Sequence, residues 1–250
     1  MKAILYVGHG TRSKHGAKEM KRFLEGIIPE INVPIQEIAF LELTEPDIAA
    51  GFERCVARGA TSLAVVPLFL LTAGHIKVDI PAALKPLKKK YPLLDVHMEE
   101  PFGVQSTILD AMMESIIEEA GRLSQEDRIL IVGRGSSDAS IRSEFKRIED
   151  GIKQRSGISA VAVCYLAASG PFFQQGIEEI SHHCSGKVIV VPYLLFPGLL
   201  LTEVEREVAK RKQARQNILQ TGALSRHESI KRIMIEKATA AGEEERICSH

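Results

Sequence analysis

This sequence has neither an excess of one charge nor a long apolar run. Lys+Arg and Asp+Glu both number 32 in 250 residues, so no global field draws the chain to nucleic acid or to an anionic membrane surface. An anionic ligand has to be met by local basic groups. The longest apolar stretches, Leu63 to Gly74 and Val188 to Leu201, fall short of the roughly 18 to 20 residues a helix needs to cross a bilayer. They read as buried strands with apolar loops, and no membrane partner is expected. The chain also lacks a CxxC pair. Cys55, Cys164, Cys184 and Cys248 lie far apart, which disfavours a disulfide framework or a cysteine metal cage and points to buried reduced thiols. The segment "MKAILYVGHG" has too short an apolar run for a signal peptide and no small-residue cleavage pattern after it, so a cytoplasmic location is expected.

What the chain does have is one pattern written twice. With 45% hydrophobic residues it can bury one large core or two small ones. Laid against itself at the offset that separates His9 from Arg134, 125 residues, it aligns three segments without a gap. "YVGHGT" (Tyr6 to Thr11) meets "IVGRGS" (Ile131 to Ser136), "FLELTEPDIAAGFE" (Phe40 to Glu53) meets "YLAASGPFFQQGIE" (Tyr165 to Glu178), and "VVPLFLL" (Val65 to Leu71) meets "VVPYLLF" (Val190 to Phe196). Three matches in one register indicate an internal duplication. The polar stretch Gly121 to Arg128 marks the boundary, so two domains are predicted, 1–124 and 125–250.

In the first copy, strands are predicted at Ala3 to Val7, Pro34 to Leu41, Ser62 to Pro67 and Leu94 to Met98. Helices are predicted near Lys14 to Ile28, Glu45 to Arg58, Ile80 to Lys90 and Val104 to Gly121. Val/Ile/Leu-rich runs that alternate with amphipathic segments imply an α/β fold, a parallel sheet covered by helices on both faces. A doubly wound sheet of strand order 2-1-3-4 is the simplest right-handed solution.

Ligands of such sheets bind beyond the carboxyl ends of the strands, where the strand order reverses. The loops there carry His9 after strand 1, Glu42 after strand 2 and His75 after strand 3. Neighbouring strands lie about 4.8 Å apart, so the three can meet. Two imidazoles and a carboxylate make a divalent transition-metal site with open positions. Gly8 and Gly10 allow a sharp turn and close ligand approach. The second copy has Arg134, Ala167 and Leu200 at the three equivalent positions, so all three candidate ligands are lost together. That coordinated loss fits one site in one half better than a structural role in both. Arg134, beside Ser136 and Ser137, is a candidate for binding ligand carboxylates. Glu45 alone reads as a helix N-terminal charge preceding Pro46. His15 reads as exposed on a helix, and His182, His183 and His227 as surface residues without matched partners. The runs Lys85 to Lys90 and Glu205 to Arg215 read as solvated helix faces. The tail pair Cys248 and His250 is too sparse to specify a metal.

The motifs "LYVGHGTR", "FLELTEP" and "VVPLFLLTAGHIKVDIP", with a degenerate second half, closely resemble the sirohydrochlorin chelatases, the class II chelatases of sirohaem and cobalamin synthesis. The resemblance covers essentially the whole chain and is nearest the two-domain iron-inserting form. It implies insertion of Fe2+ into sirohydrochlorin without an organic cofactor, with Co2+ as the alternative metal. It maps metal ligands and bases onto His9 and His75 with Glu42 as the acidic member, and makes Glu45 and the loop Leu70, Leu71, Thr72, Ala73 and Gly74 line the substrate site. Imidazolium cannot ligate metal, so such a site fails as pH falls through the ordinary histidine range near about 6.5. The duplication supplies internally what half-length relatives obtain by dimerising, so a monomer is expected. Two rivals remain at this level. A metal or tetrapyrrole carrier needs the same ligands but shows no turnover. A histidine phosphatase would need an arginine where Gly8 stands.

Overall fold

The structure, a computed structural model, describes residues 1–243, with the side chains of Lys14 and His15 left out. The expectations for the His15 side chain and the Cys248/His250 pair therefore lie outside the described residues. The first copy runs β1 (Lys2–Gly8), α1 (Lys14–Glu25), β2 (Ile35–Phe40), α2 (Ile48–Ala57), β3 (Ser62–Pro67), α3 (Ile80–Lys90), β4 (Asp95–Met98) and α4 (Ser106–Ala120). The second runs β5 (Arg128–Gly133), α5 (Ser140–Ser156), β6 (Val161–Tyr165), α6 (Phe173–Ser181), β7 (Val188–Pro192), α7 (Leu199–Gln213), β8 (Ile218–Gln220) and α8 (Glu228–Glu243). Each copy forms one four-stranded parallel sheet, ordered β2-β1-β3-β4 and β6-β5-β7-β8. This is the predicted order, and the near-continuous apolar strands explain it. On one face of the first sheet Leu5, Val7, Leu63 and Val65 pack under Phe52 of α2 and Ile80 and Leu84 of α3. Ile4 and Tyr6, on the other face, are equally buried, as expected of a sheet covered on both sides.

Two local differences have clear causes. The second helix begins later than predicted, because Asp47 caps it by accepting from Ala50 N at 2.7 Å and Pro46 stays outside, its carbonyl accepting from Phe40 N. His227 is not a surface residue: its side chain is 14% exposed and bonds Ser115 Oγ on α4. Cys55 and Cys164 are buried free thiols, and burial pushes each up to about 12, as inert core cysteines require. No helix among the described residues is long and apolar enough to cross a membrane.

The unit of packing is not the unit of duplication. Among the described residues, one compact unit comprises Met1–Gly103 together with Lys231–Glu243, and the other comprises Val104–Ile230. Thus α4, the last helix of the first copy, packs on β7, β8 and α5, with Gly151 of α5 leaving room for Leu109. Most of α8 belongs to the first unit, where Lys231 pairs with Glu30 at 2.9 Å and Gly242 makes space for Val33.

Candidate functional site

The loops after β1, β2 and β3 of the first unit converge as the strand order requires. Gly10, at φ +89°, turns the chain out of β1, and a Cβ there would lie 1.7 Å from the carbonyl oxygen of Glu42. Only glycine lets the two loops touch, and the contact is secured by Glu42 N donating to His9 O and Leu41 N to Gly8 O. Thr44 Oγ1 closes the loop pair, accepting from Thr11 N and donating to Thr11 O, both at 3.0 Å. His9 is thereby held at the strand end, half-buried.

His75 arrives from the other side of β1. It opens a single π turn, His75–Asp79, in which Ile80 N donates to His75 O five residues back. The Nε2 atoms of His9 and His75 lie 3.0 Å apart, their rings edge to face, with Phe69 flanking both at about 6 Å between ring centres. The side chains are 28% and 25% exposed, so the pair is open to a ligand from one side. Each Nδ1 points outward to oxygen. That of His9 lies 3.2 Å from Gly10 O and 3.5 Å from Glu42 Oε1, and that of His75 lies 2.7 Å from Asp79 Oδ2.

The two predicted histidines therefore meet, with their Nε2 edges facing, but the expected three-donor set differs in detail. Glu42 sits on the Nδ1 edge of His9, away from the Nε2 pair. Among the described residues no three His, Cys, Asp or Glu side chains converge as a metal-holding group. The reason is topological: β2 lies on the opposite side of β1 from β3, so its loop reaches the far edge of the ring. Glu45 is exposed and its Oε2 accepts from Asp47 N at the entry to α2. Leu70, Leu71, Thr72 and Ala73 are half-buried and Gly74 exposed, in the segment that leads from β3 to His75. Arg134 is exposed at the end of β5 in the second unit.

Asp79 was not among the predicted site residues. Its sequence signal was present, since His75 and Asp79 are spaced i,i+4 and such residues share a helix face. Phe69 carries no sequence signal beyond its place in an apolar loop.

The second unit keeps the scaffold and drops the chemistry. Gly135 has φ +90° and its Cβ would lie 1.8 Å from Ala167 O, while Ala167 N donates to Arg134 O. Yet α7 begins as a regular helix from Leu199 without a π turn.

Comparison with known proteins agrees with this duplicated layout. A family model described as CbiX matches residues 3–119 and again 128–241. The sirohydrochlorin ferrochelatase of Priestia megaterium is 38% identical, over 94% of this chain and 88% of that one. The sirohydrochlorin cobaltochelatase of the same organism is 30% identical, over 95% and 79%. The solved structure of SirB from Bacillus subtilis with Fe3+ superposes with a TM-score of 0.85 at 36% identity, covering 97% of this chain and 96% of that one.

Proposed function

The chain belongs to the CbiX family of sirohydrochlorin chelatases, and from that premise we propose that it inserts Fe2+ into sirohydrochlorin to give sirohaem, with His9 and His75 presenting the metal. The observation that carries the reading is the pair of Nε2 atoms 3.0 Å apart at the open strand ends. Iron is preferred because the ferrochelatase relative is more similar than the cobaltochelatase. The donor set alone does not choose, since Co2+ binds such nitrogen sites more tightly than Fe2+.

Insertion requires loss of two pyrrole protons and exchange of the ion's ligands for four ring nitrogens. Two neutral imidazoles hold a divalent ion with most of its coordination sphere open. The ion is therefore ordered but not caged, and ring nitrogens can replace water and then histidine. Glu42, beside His9 and 48% exposed, accepts a released proton and supplies negative charge near the cation. Phe69 and the loop from Leu70 to Gly74 offer apolar surface to the macrocycle face, and Glu45 borders that site. No organic cofactor takes part; the metal is substrate. The working form is a cytoplasmic monomer, the first copy carrying the metal site.

The test is anaerobic insertion of Fe2+, and in parallel Co2+, into sirohydrochlorin, followed by absorbance with sub-stoichiometric protein. Multiple turnovers above the spontaneous rate are expected, with His9→Ala and His75→Ala each removing most of the acceleration. Tight binding without acceleration would make the protein a carrier, and near-normal rates in both variants would sink the site assignment.

A further inference from the structure

The first unit contains a carboxylate that neither the duplication nor the proposed chemistry uses. Asp79 closes the π turn where it runs on into α3, itself in helical conformation (φ −73°, ψ −47°), and its side chain makes no helix-capping bond. Instead its Oδ2 lies 2.7 Å from Nδ1 of His75. His75 and Asp79 stand at the two ends of the widened turn, four residues apart and therefore on one face of the helix.

We propose that Asp79 is the positioning residue of the metal-presenting histidine: by accepting from Nδ1 it fixes the Nδ1–H tautomer of His75 and aims the Nε2 lone pair at the shared site with His9. The inference rests on the proposed metal-presenting role of the histidine pair. A neutral imidazole carries one N–H, so a carboxylate on Nδ1 leaves Nε2 as the acceptor. An imidazole without such a partner adopts either tautomer and can turn about its side-chain bonds. A carboxylate behind a ligating histidine also raises its basicity.

An independent observation comes from the second unit. The position equivalent to Asp79 is Val204, and that equivalent to His75 is Leu200. The segment between them is ordinary helix, and Val204 is buried in the apolar core. Histidine, aspartate and π turn are therefore present together in one copy and absent together from the other, as expected of a single device.

The experiment uses the full chain at about pH 8.5, where a free imidazole is neutral. Two readouts are independent of turnover: the 15N shifts of His75, assigned by comparison with His75→Ala, and the affinity for Co2+ alone, read from its visible absorption. Wild type is expected to show His75 as the Nδ1–H tautomer. Asp79→Ala should lose that preference and bind Co2+ about 10- to 100-fold more weakly, and in the insertion assay KM for metal should rise more than kcat falls. Asp79→Asn keeps an acceptor oxygen and should recover most of the affinity and the tautomer. An Nε2–H tautomer in wild type would overturn the proposal even if a variant failed to fold. So would Co2+ affinity of Asp79→Ala equal to wild type. If sirohydrochlorin is not turned over at all, the proposed function fails, yet tautomer and Co2+ affinity still decide the role of Asp79.

Discussion

At the scale of single residues, backbone demands and chemical demands separate cleanly. Gly10 and Gly135 serve the same steric need, since a Cβ at either would strike a carbonyl oxygen of the adjacent loop. His9 and Arg134, their neighbours, do not share a role, and nothing in the backbone makes them differ. Asp127 shows the same logic away from the site. It is 1% exposed and accepts from Ser124 N and Lys187 N, both at 2.8 Å. Burial alone would raise its carboxyl, but the two backbone donors and the Lys187 ammonium outweigh burial and hold it below the usual range. A depressed folded-state pKa means stability that is present above the unfolded carboxylate value and is lost as pH falls through the folded one. Asp127→Ala is therefore expected to cost about 2 to 3 kcal/mol at neutral pH, the scale of a hydrogen bond to a charged group. Urea unfolding at a series of pH values checks this. The gap to wild type should close below about pH 4, and a gap independent of pH would contradict the assignment.

At the scale of elements, the two copies differ where a helix starts rather than where strands lie. The segment after β3 widens into a π turn before α3, whereas the segment after β7 enters α7 directly. Such turns commonly occur at functional positions because they redirect a side chain. The last helix makes a different point. On α8, Ile233, Met234, Ala238 and Ala241 are all buried, an apolar stripe at helical spacing. Met234 is fully enclosed, so Met234→Ala should cost about 2 to 5 kcal/mol through lost transfer energy and the cavity left behind. A thermal unfolding midpoint unchanged from wild type would show that α8 does not contribute to a core.

At the scale of the whole molecule, each compact unit takes its final helix from the other copy. A cut at the duplication boundary therefore does not release a complete unit. Residues 1–124 alone would retain α4 without the sheet it covers and would lack α8. That fragment is expected to be aggregated or without a cooperative transition by circular dichroism, and mixing it with 125–250 during refolding should restore both. A folded, cooperative 1–124 fragment would sink this expectation.

The sequence by itself determined the duplication, the β-α alternation, the strand order and the meeting of His9 with His75. All of these follow from apolar periodicity and from the rule that loops at one end of a parallel sheet converge. Tertiary structure alone decided three other matters. Glu42 reaches the Nδ1 edge of His9 because β2 and β3 flank β1 from opposite sides, a fact about direction that spacing does not encode. The spacing puts Asp79 on the face of His75, but that the turn between them widens to a π turn is left open by the residue types. The final helices are exchanged because an amphipathic stripe specifies that it must be buried, while the sheet that buries it is selected by the path of the chain and the packing available at its end.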